Sequence, residues 1–544
     1  MFYFISIFIL QQYQFLIQIR MLQTKHYFLS FSTDQHYIQY YRGIIDIVGA
    51  FMVKNELISR FDCCIYLISF APPVFEQFGR ETGLPFGEHC IILNGTTAEE
   101  WMDTDAHRAC TNIILERELK NPGHLKRTIL AHEKKKNTYI EFFNNIDQLN
   151  LQELNTEELL GSLGTFLQLY YNQYASALLP LFYKEPLSDM IFKKLSERFG
   201  EKTSEIIAYV TTPEKDSFAY NERESMLKLM MDVYDSIGGE IFDKDPEAIL
   251  ALLESEYNDL HLQLIGHSKR FFWINNNYRR VIILSPLDFI KKMKYESLSF
   301  EHPKDELAIM EHTKQHALEK KKEYLQLIDK EEKCMVSLLS DGGWWQDERK
   351  KCNLIGNHIL MKFLWEVSRR TSIPEDILKN ASVNEMGTIL YGHADIESIK
   401  DRHKKYFTLY CKWQNTYSEM GQIELRRYVE NNNIEHVSEF RGMTASLGNA
   451  QGEVVIITKE EDFSKMKSGA ILVAAMTWPE YTHLMRHASA VITDEGGLTC
   501  HAAIVSREFK IPCIVGTKIA TRVLKDGDIV EINSTTGLIK VKRK

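Results

Sequence analysis

The sequence predicts a multidomain protein, with a mostly α-helical N-terminal and middle region followed by a C-terminal α/β domain. Three observations carry this. The chain has 544 residues, more than one ordinary core holds, so two or three domains are expected. Apolar residues recur at helical spacing from about residue 111 to 431. Near residues 429–439 the composition changes, and short β-branched runs replace the helical pattern. The expected organisation is an N-terminal region of unassigned fold over 1–110 and a helical domain over 111–430 that binds a substrate or partner. A linker over 431–440 and the α/β domain over 441–544 follow.

The first element is the opening run MFYFISIFILQQYQFLIQIR. Its apolar stretch ends at Leu10, and Gln11, Gln12 and Gln14 interrupt it, so it is too short to span a bilayer. It lacks a basic start and a small-residue cleavage site, and it reads as an extension ahead of a start at Met21. Residues 27–41 mix aromatic and polar side chains as one or two strands would. Ala71-Pro72-Pro73 and Leu84-Pro85-Phe86-Gly87 mark turns.

In the middle region, Leu154, Leu159, Leu160, Leu163 and Phe166 fall near helical spacing, and Thr156 before Glu157 and Glu158 suits a helix start. From Asp305 to Leu339 one apolar stripe, including Leu307, Met310, Tyr324, Ile328, Met335 and Leu338, predicts a single long solvated helix. His312 and His316 belong to its wet face. Phe271-Phe272-Trp273-Ile274, followed by Asn275-Asn276-Asn277, reads as an aromatic helix end packed in the core; a ligand pocket is the competing reading. Asp341-Gly342-Gly343-Trp344-Trp345 reads as a turn anchored by buried tryptophans; a loop in which Arg349 and Lys350 face phosphate is the competing reading.

Asn431-Asn432-Asn433 is poor helix and marks the hinge. Beyond Phe440, strands are predicted at 452–458, 470–474, 490–493, 513–516, 528–532 and 538–541. Two helices are predicted, at 479–487 and 499–509.

Composition narrows the function classes. Hydrophobic residues make 44% and charged residues 26% of the chain, as in a soluble globular protein. A net charge of −9 argues against a general nucleic-acid binder. Nine scattered cysteines without a CxxC pair argue against a disulfide framework and fit a reducing cytoplasm. No membrane partner is expected.

The chemistry concentrates in Asp494-Glu495-Gly496-Gly497-Leu498-Thr499-Cys500-His501. The paired glycines follow a strand and permit a tight turn with close backbone approach. Thr499 can cap the next helix, which puts His501 in its first turn, beside unpaired N–H groups that attract anions. The same terminus disfavours imidazolium, so the ring stays neutral and nucleophilic. That suits a phosphoryl acceptor. Three other readings stand beside it at this point: a buried core histidine, a metal ligand, and Cys500 as a nucleophile activated by the helix terminus.

Residues 493–517, TDEGGLTCHAAIVSREFKIPCIVGT, closely resemble the phosphohistidine motif of phosphoenolpyruvate synthase and pyruvate phosphate dikinase. The likeness extends to RGMTASLG at 441–448, QGEV at 451–454, GAILV at 469–473 and MTWPEY at 476–481. The resemblance implies a swivelling β/β/α domain over 441–544 whose histidine is phosphorylated at one site and delivers the group at another. It makes His501 the phosphoacceptor, with Thr499, Cys500, Gly496, Gly497, Arg507 and Glu508 in support. The helical region before it resembles rifampicin phosphotransferase in layout. No P-loop, GxGxxG, ATP-grasp or phosphoenolpyruvate-barrel segment is legible. The expected donor, ATP or phosphoenolpyruvate with Mg2+, therefore sits on a separate ATP-grasp or phosphoenolpyruvate-binding chain, and the acceptor is a small molecule. The alternative is a non-catalytic phosphorylatable module that binds or regulates a partner.

Overall fold

A computed structural model describes residues 56–95, 97–298, 300–402, 406–412, 415–420, 437–458, 460–477, 481–497, 500–534 and 536–542. The N-terminal extension, the strands expected over 27–41 and the linker as far as residue 436 lie outside these residues. Among the described residues no helix is long and apolar enough to cross a membrane.

The helical body is built around α1 (Ala71–Thr82), α2 (His124–Gln148), α3 (Thr156–Ser176), α4 (Leu179–Phe199), α5 (Phe218–Ile237), α6 (Asn258–Phe271), α7 (Pro303–Tyr324) and α8 (Lys330–Thr371). Several expectations change here. Pro72 and Pro73 open α1 rather than a turn, because first-turn N–H groups lack helical partners anyway and proline gives up nothing there. Asn155, not Thr156, caps α3, in a reciprocal capping box with Glu158. The single helix expected over 305–339 is two. The chain breaks after Tyr324, and Asp329 with Glu332 caps the start of α8. That helix then runs through Gly342 and Gly343, where the sequence suggested a turn.

The α8 glycines allow close helix crossing. A Cβ at Gly342 would lie 2.1 Å from the Tyr183 hydroxyl, and one at Gly356 would lie 2.9 Å from that of Tyr139. Tyr183 donates to the Leu338 carbonyl (3.0 Å) and Tyr139 to the Cys352 carbonyl (3.1 Å), each four residues before the glycine. Removing one side chain thus opens each carbonyl to a second donor and lets two helices approach. The turn after α6 is core packing. Trp273 is buried, and Asn276 donates to the Leu354 carbonyl of α8 at 2.9 Å. His312 and His316 are exposed on α7.

The body also carries an antiparallel sheet of order β1-β3-β2-β4-β5, formed by Glu56–Asp62, Glu88–Asn94, Thr97–Met102, Tyr406–Lys412 and Asn415–Met420. Residues 406–420 were expected to be helical. Their aromatic and β-branched run Tyr406-Phe407-Thr408-Leu409-Tyr410 instead pairs with β2, a tertiary choice over local pattern.

The C-terminal domain is one mixed eight-stranded sheet, β6-β13-β12-β8-β9-β10-β11-β7. Its strands are β6 (Glu439–Arg441), β7 (Met443–Ser446), β8 (Asn449–Ile456), β9 (Ile471–Ala474), β10 (Ala490–Thr493), β11 (Cys513–Val515), β12 (Ile529–Asn533) and β13 (Leu538–Lys542). Strands β8 to β11 are parallel. Every residue of β9, β10 and β11 is buried, as parallel strands covered on both faces require. Ile471, Val473 and Ile492 point to one core, while Leu472, Ala474 and Val491 join the core continuous with the helical body. Helices α9 (Thr482–His487) and α10 (His501–Glu508) are the β9–β10 and β10–β11 crossovers. Their N-termini therefore lie at the carboxyl edge of the parallel strands, where such sheets place ligands.

Candidate functional site

His501 is the first residue of α10, and Cys500 takes the N-cap position with extended backbone. Thr499, the expected cap, lies outside the described residues. The loop before it is clamped to its own sheet. Asp494 and Glu495 donate their N–H groups to the Ala474 and Ala475 carbonyls at 3.1 and 2.9 Å. The buried Asp494 carboxylate accepts from the Thr521 N–H (3.0 Å), the Thr521 hydroxyl and the Thr517 hydroxyl (3.3 Å). Gly496 has φ +101°, and a Cβ there would stand 2.7 Å from Cys500 Sγ and 2.9 Å from its Cβ. Only glycine turns the chain there and leaves the cap in place. Gly497 follows, and its carbonyl accepts from the Cys500 N–H at 3.0 Å.

Two side chains, from the loop after β9 and the start of α9, hold the imidazole. Thr477 Oγ1 lies 2.9 Å from Nδ1, and Thr482 Oγ1 lies 3.4 Å from Nε2. Neither threonine was singled out from sequence, although Thr477 sits in the MTWPEY stretch already noted for its likeness. Burial, with the Lys350 ammonium as a second cause, pulls the His501 pKa down to about 4, so the ring is neutral near pH 7. Burial pushes the Cys500 thiol up instead, opposite to what a nucleophilic cysteine at a helix terminus needs. Arg507 donates to the Ala445 carbonyl at 3.1 Å and so ties α10 to β7. Glu508 is the last residue of α10.

The helical body supplies the far wall. Lys518, next to the Thr517 clamp, pairs with Glu185 on α4 and joins the two parts. The neighbouring Lys184 interacts electrostatically with Cys500 and donates to Gln346 of α8 at 2.7 Å. Lys350 is exposed to solvent, and its charge acts on Cys500 and on the His501 ring. Burial and the neighbouring Lys350 and Arg349 charges lower Lys184 to about 8. Lys350 acts on the histidine from inside a helix rather than from a loop, and Arg349 acts on Lys184 and Lys350.

This face is mainly cationic, with the Asp347 carboxylate beside Lys184 and Lys350. Among the described residues no group of three or more His, Cys, Asp or Glu stands where it could hold a metal. Two open cavities, of about 380 and 480 Å³, lie between α5 and α6, and neither is lined by His501 or its partners.

Residues 466–537 match the family model described as "PEP-utilising enzyme, mobile domain". A probable phosphoenolpyruvate synthase of Archaeoglobus fulgidus is 50% identical over 99 residues, 18% of this chain and 13% of that protein. A phosphoenolpyruvate synthase of Pyrococcus furiosus is 38% identical over 175 residues, 32% of this chain and 21% of that protein. An uncharacterised phosphotransferase, YvkC, of Bacillus subtilis is 44% identical over 112 residues, 21% of this chain and 13% of that protein. The chain thus spans only 13 to 21% of the length of these relatives. Over residues 466–537, which include the helix that begins at His501, the chain is similar to the mobile domain of PEP-utilising enzymes.

Proposed function

We propose that this chain is a phosphotransferase component that carries a phosphoryl group on His501 between a donor site on another chain and an acceptor seated against the helical body. The observation that carries this reading is the state of the ring. It is neutral near pH 7, anchored through Nδ1 by Thr477, and in electrostatic reach of the Lys350 ammonium. A ring whose Nδ1–H donates to Thr477 keeps its Nε2 lone pair for attack. The looser 3.4 Å contact from Thr482 leaves that nitrogen accessible.

In the loading step the Nε2 pair forms an N–P bond while the bond from phosphorus to the donor's leaving oxygen breaks, and that oxygen takes the electron pair. In delivery an acceptor oxygen forms a P–O bond, the N–P pair returns to Nε2, and the acceptor's proton passes to water. Lys350 and Lys184 offset the charge of a phosphoryl group, about −1.5 to −2. Gly496 and Gly497 set the loop, Cys500 caps the helix, and Arg507 anchors it. Thr499 completes the triplet and Glu508 ends the helix. The donor is ATP or phosphoenolpyruvate with Mg2+, bound by a separate protein. Residues 441–544 swing about 431–440 to visit both sites, because each must exclude water while one histidine serves both.

The test is transfer of radiolabel from ATP or phosphoenolpyruvate, with cell extract supplying the partner. Wild type and Cys500→Ala should take up acid-labile label, and His501→Ala none. Label that persists in His501→Ala, or is lost in Cys500→Ala, overturns the reading.

A further inference from the structure

Arg349 is a buried cation with no carboxylate partner among the described residues. It is 8% exposed, and its Nε has no hydrogen-bond partner among them. Among the described residues its one recorded contact of this kind is the Tyr174 ring, 5.5 Å from the guanidinium. An unpaired buried charge costs several kcal/mol, so a fold retains one where an anion arrives.

The surroundings say which kind of partner is missing. Trp345 lies one turn earlier on the same face of α8, and its buried Nε1 also lacks a protein partner. Both groups donate and neither accepts, so what completes them is an acceptor. On the adjacent face, Gly343, Gln346 and Lys350 recur at i, i+3 and i+7, and Lys184 from α4 lies over them. A Cβ at Gly343 would meet nothing closer than 4.0 Å, and one of the two atoms at that distance is Lys184 Nζ. The three cations are electrostatic neighbours: Lys350 acts on the His501 ring, and Arg349 acts on Lys184 and Lys350, with the Asp347 carboxylate beside both lysines.

We propose that Arg349, Lys184 and Lys350 hold an oxyanion of the acceptor, a carboxylate or phosphate, so that the small molecule meeting His501 is itself an anion. This rests on the reading of His501 as carrier for the ligand's role as acceptor, but the binding site stands on the helical body alone.

The full chain is titrated with inorganic phosphate and with malonate at low ionic strength, by calorimetry and thermal unfolding. Both wild type and His501→Ala should bind and be stabilised alike. Arg349→Met should weaken binding about 10- to 100-fold, as loss of a charged hydrogen bond does, and should unfold at a higher temperature than wild type without anion. If Arg349→Met does not fold, Lys184→Met takes its place in the binding arm. Unchanged binding in the variant, or no binding in wild type, overturns the inference. Binding lost in His501→Ala overturns it too, since the anion then depends on the histidine and not on the helical body alone. Label on His501 without anion binding sinks this inference and leaves the carrier; anion binding without label does the reverse.

Discussion

The two walls that meet at His501 are built in opposite ways. On the C-terminal side, short-range contacts complete the site. Asp494 is clamped by Thr517 and Thr521, the ring is held by Thr477 and Thr482, and Gly496 gives the loop its turn. On the helical side the charges come from two helices far apart in sequence, and Arg349 Nε and Trp345 Nε1 have no acceptor among the described residues. The C-terminal half is finished by its own chain segment, whereas the opposing half keeps donors that no described residue accepts from. A group that moves between sites needs a fixed geometry wherever it goes, while an acceptor site gains from donors held ready for a ligand.

The largest expected break of this contrast is Gly496→Ala. A Cβ at φ +101° both strains the turn and pushes on Cys500, and a displacement of about 1 Å costs about 100-fold in rate. The rate of label uptake from the donor measures it, and an unchanged rate would mean the loop does not position the ring. Next comes Gly342→Ala in the body, whose Cβ would strike the Tyr183 hydroxyl. Overpacking of that kind costs about 1–3 kcal/mol in denaturant unfolding, and loading of His501 should be unchanged. Loss of loading there would show that the two halves are not independent. Asp494→Ala should cost a similar 1–3 kcal/mol, by orphaning the donors it satisfies, and should slow loading as well.

The smallest effects concern pH. The fold holds His501 at about 4 against an ordinary 6.5, so it favours the neutral ring. The matching stability is present above pH 6.5 and is lost as pH falls from about 6.5 to about 4. His107 and His132, lowered to about 4 by burial, lose stability in the same window. Lys350→Met removes one cause for His501 alone. It should move the acid limb of loading upward in pH and leave the unfolding contribution of the other two histidines in place. A limb that stays put would mean that burial accounts for the whole shift.

Much of the C-terminal half was legible in advance, because its signals are local. Continuous apolar runs announced β9, β10 and β11, Gly496 announced a turn, and His501 stood at a helix start within a long motif. The cap was misread by one residue, since Cys500 rather than Thr499 takes that position, and helix ends depend on backbone angles that composition only suggests. Thr477 and Thr482 escaped notice because an isolated threonine carries no pattern. In the body, helical periodicity was real, but its interruptions were misplaced. Pro72-Pro73 and Gly342-Gly343 look like breaks locally, yet one pair opens a helix and the other lets two helices touch.

By itself the sequence determined the order of helical and α/β parts, the places of the apolar strands and the histidine at a helix terminus. Each depends on residues near one another in the chain. Tertiary structure alone decided that 406–420 closes a sheet with 88–94, and that Lys184 and Lys350 come within electrostatic reach of Cys500 and His501. Strand pairing and charge convergence depend on distance in space, and a cation on a helix has the same local pattern whether it faces water or a site.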